Sequence, residues 1–558
     1  MPATIAFSKV TFKPEISMPR KKSKAPPLDL RAFIEKFGVQ HGKDMVSPTA
    51  QPFAWLIDMR RVFMRPEYLA EIVRQFWDKF APDGPAQIGG MEVAGIPLLT
   101  AILQAGHEKG HELNGFMVRK ERKTYGLQQL IEGELTGRPI VLVDDMMNSG
   151  ESLEKARVVL ERAGKKISEI FVVVDFQSKK GMIWRKLHDI KINSLFTLED
   201  FDLAVTPPKP VPQQRFEFVW RYAAEPLAPF DVVPKSTPVI VGNSICFGTD
   251  AAAFVSLDMD TGKENWSYQA KGAMRKGIWS SAALAKGRLY FGAYNGIVYC
   301  LDAHSGAEIW RSAVCDWVGS SPLVVERHGV LVVGTEYEKP RMPGSMVGLS
   351  LETGEKLWEF PMRAYQHGSA SYWPVDDLAI CGSADHSILA LNPLTGEKVW
   401  EFYTERSIKY PPAIDLERGL AIAASFDGYI YVVKAKTGKL VEKFKTDDLC
   451  YSTPLITHGR VFCGSGDRHL YVIDLEKMTL VKKIDCGARV YSSPRLIDGK
   501  VAFGNTGGVY REVDPITLEV TGYLQLVDGI TNAVAHTADA RRIFIPSYVN
   551  ELYCFERL

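Results

Sequence analysis

Residues 140–152 read IVLVDDMMNSGES, an apolar run that leads directly into two adjacent carboxylates and a small polar loop. A continuous apolar run predicts a strand covered on both faces, as in parallel sheets. The stretch that follows has apolar residues at helical spacing, namely Leu153, Ala156, Val159 and Leu160. Gly164 is a typical helix stop. Asp144 and Asp145 are therefore predicted at the carboxyl end of a strand, where open α/β sheets bind ligands, and just before a helix N-terminus, which favours anions. This arrangement predicts a ligand that carries both hydroxyl groups and a phosphate.

The whole chain has 558 residues, which predicts more than one domain. Its formal net charge of +1 provides no electrostatic basis for binding nucleic acid or a membrane surface. The basic cluster PRKKSKAPP (19–27) fits a solvated tail better than a nucleic-acid-binding arm. All eight cysteines follow residue 240 without any C-x-x-C pair, which is typical of buried thiols. With no apolar leader and no run long enough to span a bilayer, we expect a cytoplasmic protein.

The first part of the chain alternates helical patterns with short apolar strands. Residues 66–80 and 94–106 read as helices, and ISEIFVVVDF (167–176) reads as a strand. This alternation predicts an α/β domain with a parallel sheet over residues 28–205, preceded by a basic flexible tail at 1–27. The proline-rich stretch TPPKPVPQQ (206–214) is predicted to be a linker, because proline cannot pair in the middle of a sheet.

The second part of the chain is built from repeats. Four copies of one phrase are clear: LDMDTGKENW (257–266), LDAHSGAEIW (301–310), LSLETGEKLW (349–358) and LNPLTGEKVW (391–400). Weaker copies follow, and a period of roughly 40 residues with four short strands is typical of propeller blades. The eighth unit (531–555) is one strand short, and we expect FEFVWRYAAEPL (216–227) to complete it and close the ring. The sequence thus predicts an all-β propeller over 215–558 with eight blades, seven being the alternative.

The phrase resembles the repeats of pyrroloquinoline-quinone-type propellers, found in quinoprotein dehydrogenases and outer-membrane assembly lipoproteins. The resemblance specifies the fold. The quinone enzymes carry an adjacent cysteine pair that is absent here. The repeated tryptophans are therefore expected to pack between blades rather than stack on a cofactor, and these are Trp266, Trp310, Trp358 and Trp400. We expect no quinone, and a ring that binds a protein partner whose identity the sequence does not reveal.

The stretch VLVDDMMNSGES (141–152) resembles the ribose-phosphate loop of type I phosphoribosyltransferases. The resemblance implies that Asp144 and Asp145 hold the ribose hydroxyls of phosphoribosyl pyrophosphate (PRPP). The 5′-phosphate would be held by the backbone of Asn148, Ser149, Gly150 and Glu151 and by the hydroxyl of Ser152. Glycine permits the positive φ and close approach that such a loop needs. The alternative is a capped turn without a ligand.

Two further stretches resemble orotate phosphoribosyltransferases in particular. GFMVRKERKTYG (115–126) matches that family's mobile catalytic loop, with Tyr125 where histidine is usual; the alternative is a solvated basic loop. Its three cations are Arg119, Lys120 and Lys123. IGGMEVAGIPL (88–98) resembles the pyrophosphate loop, in which Gly89 and Gly90 would offer backbone amides and Glu92 a carboxylate on the metal side.

The resemblance implies a type I phosphoribosyltransferase fold and a reaction in which pyrophosphate leaves the anomeric carbon of PRPP. Mg²⁺ would arrive with PRPP, with Asp144 and Asp145 as candidate protein contacts. Lys123 would stabilise the departing pyrophosphate. In the family, Arg119 and Lys123 act on the neighbouring subunit while Lys120 acts within its own, which implies a homodimer.

The match fails at DFQSKKG (175–181), where the family has an arginine that grips the orotate carboxylate and this chain has Phe176. Lys179 or Lys180 is a candidate substitute, although a single ammonium does not reproduce a bidentate fork. Phe176 could instead stack on a base that lacks a carboxylate. We therefore expect transfer of ribose 5-phosphate to orotate or a related base. The alternatives are a non-catalytic sensor of PRPP or a nucleotide that signals through the propeller, and a propeller enzyme that uses a quinone.

Overall fold

The computed structural model describes residues 28–46, 52–82, 86–119, 130–148, 150–201, 203, 214–224, 233, 235–271, 276–337 and 343–558. The predicted tail at 1–27 and the predicted linker up to residue 213 lie outside these ranges. In the part of the chain that is described, no helix is long and apolar enough to cross a bilayer.

The N-terminal part contains a six-stranded sheet in the order β5-β4-β3-β6-β7-β8, and only β5 runs antiparallel to its neighbour. Its strands are β3 (Ala86–Met91), β4 (Leu113–Val118), β5 (Ile131–Gly133), β6 (Ile140–Met147), β7 (Ile167–Asp175) and β8 (Lys191–Thr197). The predicted α/β class with a parallel sheet is confirmed.

Helices cover both faces of this sheet. They are α1 (Leu30–Phe33), α2 (Arg60–Phe63), α3 (Pro66–Lys79), α4 (Gly95–Glu108), α5 (Glu151–Arg162) and α6 (Lys179–His188), with a π-turn at Ile34–Gly38 and a 3-10 turn at Leu198–Phe201. A separate antiparallel pair, β1 (Val39–Val46) and β2 (Pro52–Ile57), lies beside α1 and α2.

Strand β6 explains the continuous apolar run in the sequence. Val141 and Val143 belong to the core formed with α3 and α4, whereas Ile140 and Leu142 belong to the core formed with α5. Because both faces are covered, every position of the run is apolar. The strand continues through both carboxylates to Met147, since β7 stays paired with it as far as Asp175.

The C-terminal part is a ring of eight four-stranded antiparallel sheets, which confirms the eight-bladed propeller. The strands of blades 1 to 4 are Val239–Val241, Ser244–Gly248, Ala253–Asp258 and Glu264–Gln269; Ala283–Ala285, Arg288–Gly292, Ile297–Asp302 and Glu308–Ala313; Leu323–Val325, Val330–Gly334, Ser345–Ser350 and Lys356–Pro361; and Ala370–Trp373, Leu378–Gly382, Ser387–Leu391 and Lys398–Tyr403. A 3-10 turn, Glu326–His328, joins the first two strands of blade 3.

Blades 5 to 8 repeat this pattern. Their strands are Ala413–Asp415, Leu420–Ala424, Tyr429–Lys434 and Leu440–Lys445; Leu455–Thr457, Arg460–Gly464, His469–Asp474 and Thr479–Asp485; Arg495–Ile497, Lys500–Gly504, Val509–Val513 and Val520–Gln525; and Ala535–His536, Arg542–Pro546, Glu551–Arg557 and Phe216–Ala223. The last of these comes from the start of the propeller sequence and pairs antiparallel with Glu551–Arg557. Ring closure therefore joins the two ends of this domain and gives blade 8 its fourth strand.

Tryptophan and glycine form the contact between successive blades. The indole N–H of Trp358 donates to the carbonyl of Pro393 in the next blade at 2.9 Å, and a Cβ on Gly396 would lie 2.5 Å from the Trp358 ring. The same close approach recurs for Gly262 on Trp220, Gly306 on Trp266, Gly354 on Trp310 and Gly438 on Trp400. The repeated tryptophans thus pack between blades, as their position in the phrase indicated.

The two parts of the chain also contact each other. Val527, in the connection between blades 7 and 8, belongs to the buried cluster that includes Leu153 and Val159 of α5. At the end of α5, Arg162 forms ion pairs with Asp528 and Glu551, whose side chains are only 1% exposed. Gln214, at the end of the predicted linker, is bridged to Gly522 of blade 7, so this one residue pairs where we expected an unpaired linker.

The blade contact predicts that replacing Gly396 by alanine is more damaging than the same change at Gly287. Both glycines have positive φ, 75° and 71°, but a Cβ at Gly287 meets nothing within 4 Å. The two substitutions therefore cause similar backbone strain. The difference between their effects on stability measures the overpacking against Trp358, which typically costs about 1–3 kcal/mol. We expect a clearly lower thermal unfolding midpoint for Gly396→Ala than for Gly287→Ala, and equal midpoints would contradict this account of blade packing.

Candidate active site

The candidate site lies where the strand order of the N-terminal sheet reverses. Strands β3 and β6 are neighbours, and the chain continues outward to β4 on one side and to β7 on the other. Gly90 pairs with Val143, so the segments that follow Met91 and Val143 start side by side. Crevices of this kind, at the carboxyl ends of parallel strands, are where open α/β sheets bind ligands. Four neighbouring strands, β4, β3, β6 and β7, therefore deliver their last residues to one edge.

Asp144 and Asp145 occupy the centre of this edge. Asp144 is 6% exposed and Asp145 is half-buried. The Asp145 amide donates to Asp144 Oδ1 at 2.9 Å, and the Met146 amide donates to Asp145 Oδ1 at 2.9 Å. A Cβ on Gly95, the first residue of α4, would lie 3.5 Å from Asp144 Oδ1. The carboxylates are thus oriented by backbone amides, and glycine keeps the neighbouring helix close to them.

The loop after β6 turns tightly into α5. Gly150 has a φ of 86°, and a Cβ there would lie 2.9 Å from Trp184 Cγ, so both conformation and packing require glycine. The carbonyl of Asn148 accepts a hydrogen bond from the Ser178 hydroxyl at 2.7 Å, which ties the loop to the start of α6. Asn148 and Ser152 are exposed. Ser149 and the side chain of Glu151 lie outside the described residues.

A partly buried hydrogen-bond network beneath this loop centres on Glu154. Its carboxylate accepts from Arg157 at 2.8 and 2.9 Å and from the Trp184 indole at 2.8 Å, and it lies 3.2 Å from His188. Burial raises the pKa of Glu154, but the hydrogen bonds from Arg157, His188 and Trp184 outweigh it and hold that pKa well below its usual range. The network fixes Trp184 against Gly150. Sequence reasoning missed it, although Glu154 and Arg157 stand at the i, i+3 spacing of a helical ion pair.

The segments after β3 and β4 carry opposite charges. Arg119 lies 3.7 Å from Glu92 and 3.3 Å from Glu132, so the structure brings two predicted site residues together. Lys120, Lys123 and Tyr125 lie outside the described residues. The turn at residues 92–94, between β3 and α4, therefore stands beside the base of the predicted catalytic loop.

Gly89 and Gly90 do not stand in that turn. Both lie inside β3 with paired strands on either side, so we correct the expectation that their amides face the ligand. Their lack of a side chain serves packing instead. A Cβ on Gly89 would lie 2.3 Å from Phe116, and one on Gly90 would lie 3.1 Å from Leu99.

Arg60 is a cation at this site that sequence reasoning did not single out. Its guanidinium hydrogen-bonds to Asp58 at 2.8 and 3.2 Å. These bonds, and secondarily the charge of Asp145, raise the pKa of Arg60. An exposed arginine facing the second carboxylate adds positive charge where an anionic ligand would lie. Its signal in the sequence is the DMR stretch at residues 58–60.

The end of β7, the fourth of these strands, is where Phe176 replaces the arginine expected from the resemblance. Phe176 is half-buried, its ring centroid is 5.9 Å from that of Trp55, and its amide donates to Met147 at 2.9 Å. The Nη2 group of Arg185 donates to both carboxylate oxygens of the buried Asp175, at 2.9 and 2.8 Å. The side chain of Lys179 lies outside the described residues.

No group of three or more His, Cys, Asp or Glu side chains suited to a metal occurs among the described residues. Asp144 and Asp145 place two neighbouring carboxylates at this edge. Such donors fit Mg²⁺, which is typically held by one or two carboxylates together with phosphates of the substrate.

The N-terminal part resembles known enzymes along most of their length. It is 30% identical over 148 residues to the orotate phosphoribosyltransferase of Mycobacterium avium (strain 104), covering 26% of this chain and 80% of that protein. The chain belongs to the orotate phosphoribosyltransferase family. The family enzyme of Rhodopirellula baltica is 28% identical over 181 residues, 31% of this chain and 93% of that enzyme. That of Bradyrhizobium sp. (strain ORS 278) is 35% identical over 123 residues, 21% of this chain, and the match spans 66% of its length.

The propeller has its own relatives. The sequence profile of the family described as outer membrane protein assembly factor BamB matches residues 255–407 and 384–517. BamB from Moraxella catarrhalis superposes with a TM-score of 0.50 at 16% identity, covering 61% of this chain and all of that one. A quinohemoprotein alcohol dehydrogenase from Pseudomonas putida HK5 superposes with a TM-score of 0.52 at 14% identity, covering 61% of this chain and 76% of that one. These likenesses establish the fold of the propeller.

The network under the loop between β6 and α5 of this orotate phosphoribosyltransferase family member predicts a pH-dependent stability. Because the folded pKa of Glu154 is depressed, its contribution is present above the unfolded pKa of about 4.3 and is lost as pH falls. We expect Glu154→Gln to lower the free energy of unfolding by about 2 kcal/mol at pH 7, and the deficit to shrink towards pH 3.

Glu161→Gln is the matched control, because Glu161 pairs with the same Arg157 at 2.5 Å from an exposed position on the same helix. Surface pairs contribute about 0–1 kcal/mol. Thermal unfolding of both variants at pH 7 and pH 3 makes the comparison. Two results would rule out a dominant role for the Glu154 carboxylate. One is an equal loss in the free energy of unfolding for both variants, and the other is a loss in Glu154→Gln that does not change with pH.

Proposed function

We propose that residues 28–205 form a phosphoribosyltransferase domain that transfers ribose 5-phosphate from PRPP to a nucleobase and releases pyrophosphate. The observation that carries this proposal is the carboxylate pair Asp144–Asp145 at the point where the strand order reverses, followed by the Gly150 turn into α5. Family membership supports the reaction class, and the site supplies groups of the right chemistry at the right edge of the sheet.

The 5′-phosphate of PRPP would lie against residues 148–152, where the start of α5 offers unpaired amides and the positive end of the helix dipole. Asp144 and Asp145 would accept hydrogen bonds from the two ribose hydroxyls. Held this way, the sugar presents its anomeric carbon toward the segments after β3 and β4. The reacting atoms are then fixed relative to each other, which lowers the entropic part of the barrier.

Positive charge must meet the pyrophosphate as its bond to the anomeric carbon breaks. Arg119 stands at the base of the predicted catalytic loop, and Lys120 and Lys123 follow it in the sequence. Bound Mg²⁺, held by PRPP and by the carboxylates of Asp144 and Asp145, would supply further charge neutralisation. We propose Lys123 and Arg119 as the groups that stabilise the leaving group, and a homodimer in which they serve the partner's site.

The base is orotate or a related base, and the contacts at Phe176 favour one without a carboxylate. The position where the family has an arginine carries an aromatic ring packed near Trp55. The guanidinium of Arg185 is held by the buried Asp175 through Nη2. A planar base could lie against these rings through stacking alone.

A non-catalytic sensor of PRPP or a nucleotide is the second candidate, and the course of α5 favours it. This helix begins at the phosphate loop and ends at Arg162, which forms ion pairs with two buried acids of the propeller. A ligand that orders the loop could therefore influence the propeller.

Whether the N-terminal domain is a transferase or a sensor, we propose that the propeller serves as a binding or regulatory scaffold for a protein partner. We also propose a cytoplasmic location.

The assignment of the carboxylate pair predicts that Asp144→Asn combined with Asp145→Asn abolishes PRPP binding. Asn is nearly isosteric but cannot provide the negative charge that receives the ribose hydroxyls and a metal, so we expect at least a hundredfold weaker affinity, about 2.7 kcal/mol. Isothermal titration calorimetry with PRPP and Mg²⁺ measures it. The control is Asp78→Asn on the exposed face of α3, which should bind normally. Unchanged affinity in the double variant would refute the site.

The account of the base predicts that Phe176→Arg increases the use of orotate. A guanidinium there could form charge-assisted hydrogen bonds with the carboxylate, which is worth about tenfold or more in kcat/KM. Gln177→Arg is the matched control, since it adds the same charge one exposed position away. Steady-state pyrophosphate release with orotate compares the three proteins. No gain for Phe176→Arg, or the same gain for both variants, would count against this explanation.

A further inference from the structure

The innermost strands of the propeller surround a central channel, and one end of this channel is lined by lysines and aromatic side chains. The first strands of neighbouring blades contact each other around the ring, so the residues that lead into them line the mouth of the channel. In blades 1, 2, 3 and 6 the mouth residue precedes a serine whose hydroxyl accepts from the amide of the glycine that ends the second strand of the same blade, at 2.9–3.2 Å. The mouth positions are Lys235, Trp279, Gly319, His367, Lys409, Tyr451, Tyr491 and Thr531.

Aromatic rings cluster on two sides of this mouth. On one side Trp279 and Tyr294 meet edge to face at 5.1 Å. On the other side Tyr451 lies 4.8 Å from Phe426 and 5.2 Å from Tyr491, measured between ring centroids. The mouth is thus largely walled by side-chain rings.

Each aromatic cluster holds an ammonium group that lies outside the Lys235–Asp250 ion pair, and Lys235 itself also lies 5.6 Å from the ring centroid of Trp279. Lys276 lies 4.6 Å from the ring centroid of Trp279 and 5.0 Å from that of Tyr294. Lys409 lies 5.3 Å from the ring of Phe426 and 5.8 Å from that of Tyr451. Among the described residues neither ammonium has a hydrogen bond or an ion pair, so aromatic rings are their direct contacts, and Glu336 acts on both through its charge.

The acids at the mouth already have other partners. Asp250 is paired with the buried Lys235, and Glu336 lies 2.8 Å from His367 Nδ1. Burial lowers the pKa of Lys409, Glu336 raises it, and Lys276 lowers it again, with a net decrease. Lys276 and Lys409 are therefore both near the single carboxylate of Glu336, which is hydrogen-bonded to His367. The mouth thus has an excess of positive charge that can attract an anion.

We propose that this mouth binds an aromatic anion, a planar ring that carries a carboxylate or a phosphate. The anionic group meets Lys276 and Lys409, and the ring packs against the surrounding side-chain rings. Stacking and charge-assisted contacts with ammonium groups are the recognition chemistry of such ligands. Free carboxylated bases and nucleoside monophosphates both have it.

The mouth opens at the end of the ring where the N-terminal domain docks. Asp528 precedes the first strand of blade 8 and Glu551 begins its third strand, and both positions lie at the same end of an antiparallel blade as the mouth residues. A ligand bound there would lie on the propeller face that holds α5. The site is nevertheless separate from the transferase site, and its existence does not depend on the proposed reaction.

The test is calorimetric titration of the full chain with orotate, uridine 5′-monophosphate and inorganic phosphate. We expect at least one of the two aromatic anions to bind and inorganic phosphate to bind at least tenfold more weakly. Lys276→Ala combined with Lys409→Ala should weaken binding at least tenfold. The control Lys436→Ala, on an exposed lysine paired with Asp376 at 2.9 Å, should leave it unchanged.

Two further proteins make the result unambiguous. The Asp144→Asn and Asp145→Asn double variant should retain binding at the mouth, which separates this site from the transferase site and from any failure of the proposed reaction. Lys276→Arg with Lys409→Arg keeps both charges and should restore binding, which excludes simple misfolding. Preference for orotate would identify a ring carboxylate as the anion, and preference for the nucleotide would identify a phosphate.

Any of three results would overturn the proposal. These are no binding of either aromatic anion at millimolar concentration, equal binding with both lysines replaced by alanine, and binding of inorganic phosphate as tight as that of the aromatic anions.

Discussion

Strand β6 is covered on both faces, and this constraint places the chemistry of the N-terminal domain. Alternate residues of Ile140–Val143 enter two different cores, one shared with α3 and α4 and one shared with α5. The polar residues of the segment can then stand only where the strand leaves this double cover. That is the carboxyl edge, beside the turn that follows β3, and the carboxylates of Asp144 and Asp145 are directed there by the amides of Asp145 and Met146.

Helix α5 connects this edge of the sheet to the propeller. Its first turn is fixed by Gly150 against Trp184, and its last turn ends in Arg162 between Asp528 and Glu551 of the propeller. Arg221 also lies 3.7 Å from Glu551, so two arginines compensate this buried acid, and ion pairs join α5 to the propeller. One rigid element therefore connects the proposed phosphate loop to the propeller face that also carries the cation-lined mouth.

Much of this could be predicted from the sequence because it follows from short, periodic patterns. The apolar run at 140–143 indicated a doubly covered strand, and the four copies ending in tryptophan indicated blades. The glycine in the same phrase meets the tryptophan of the preceding blade, so one motif encodes both partners of the contact. Where the tryptophan position holds Lys482, the glycine position of the next blade holds Leu518, whose carbonyl accepts from that lysine at 3.4 Å.

Other features depend on contacts between distant segments, and no local pattern reveals them. Gly89 and Gly90 look like loop glycines, yet Phe116 and Leu99 from other elements require them inside a strand. Glu154 finds two of its partners on α6, and Arg60 reaches Asp145 from α2. The lysines and aromatic side chains at the channel mouth come from several blades, whose equivalent positions lie about 40 residues apart in the sequence, so the cluster becomes visible only when the ring is closed.

The central claim is that the N-terminal domain catalyses transfer and does not only bind PRPP. The most direct measurement is pyrophosphate release from PRPP and Mg²⁺ by the full chain, with orotate, uracil and purine bases supplied one at a time. The account predicts release that depends on one of these bases, with a base lacking a carboxylate used at least as well as orotate. Saturable PRPP binding with no release above background for any base would contradict it and leave a sensor.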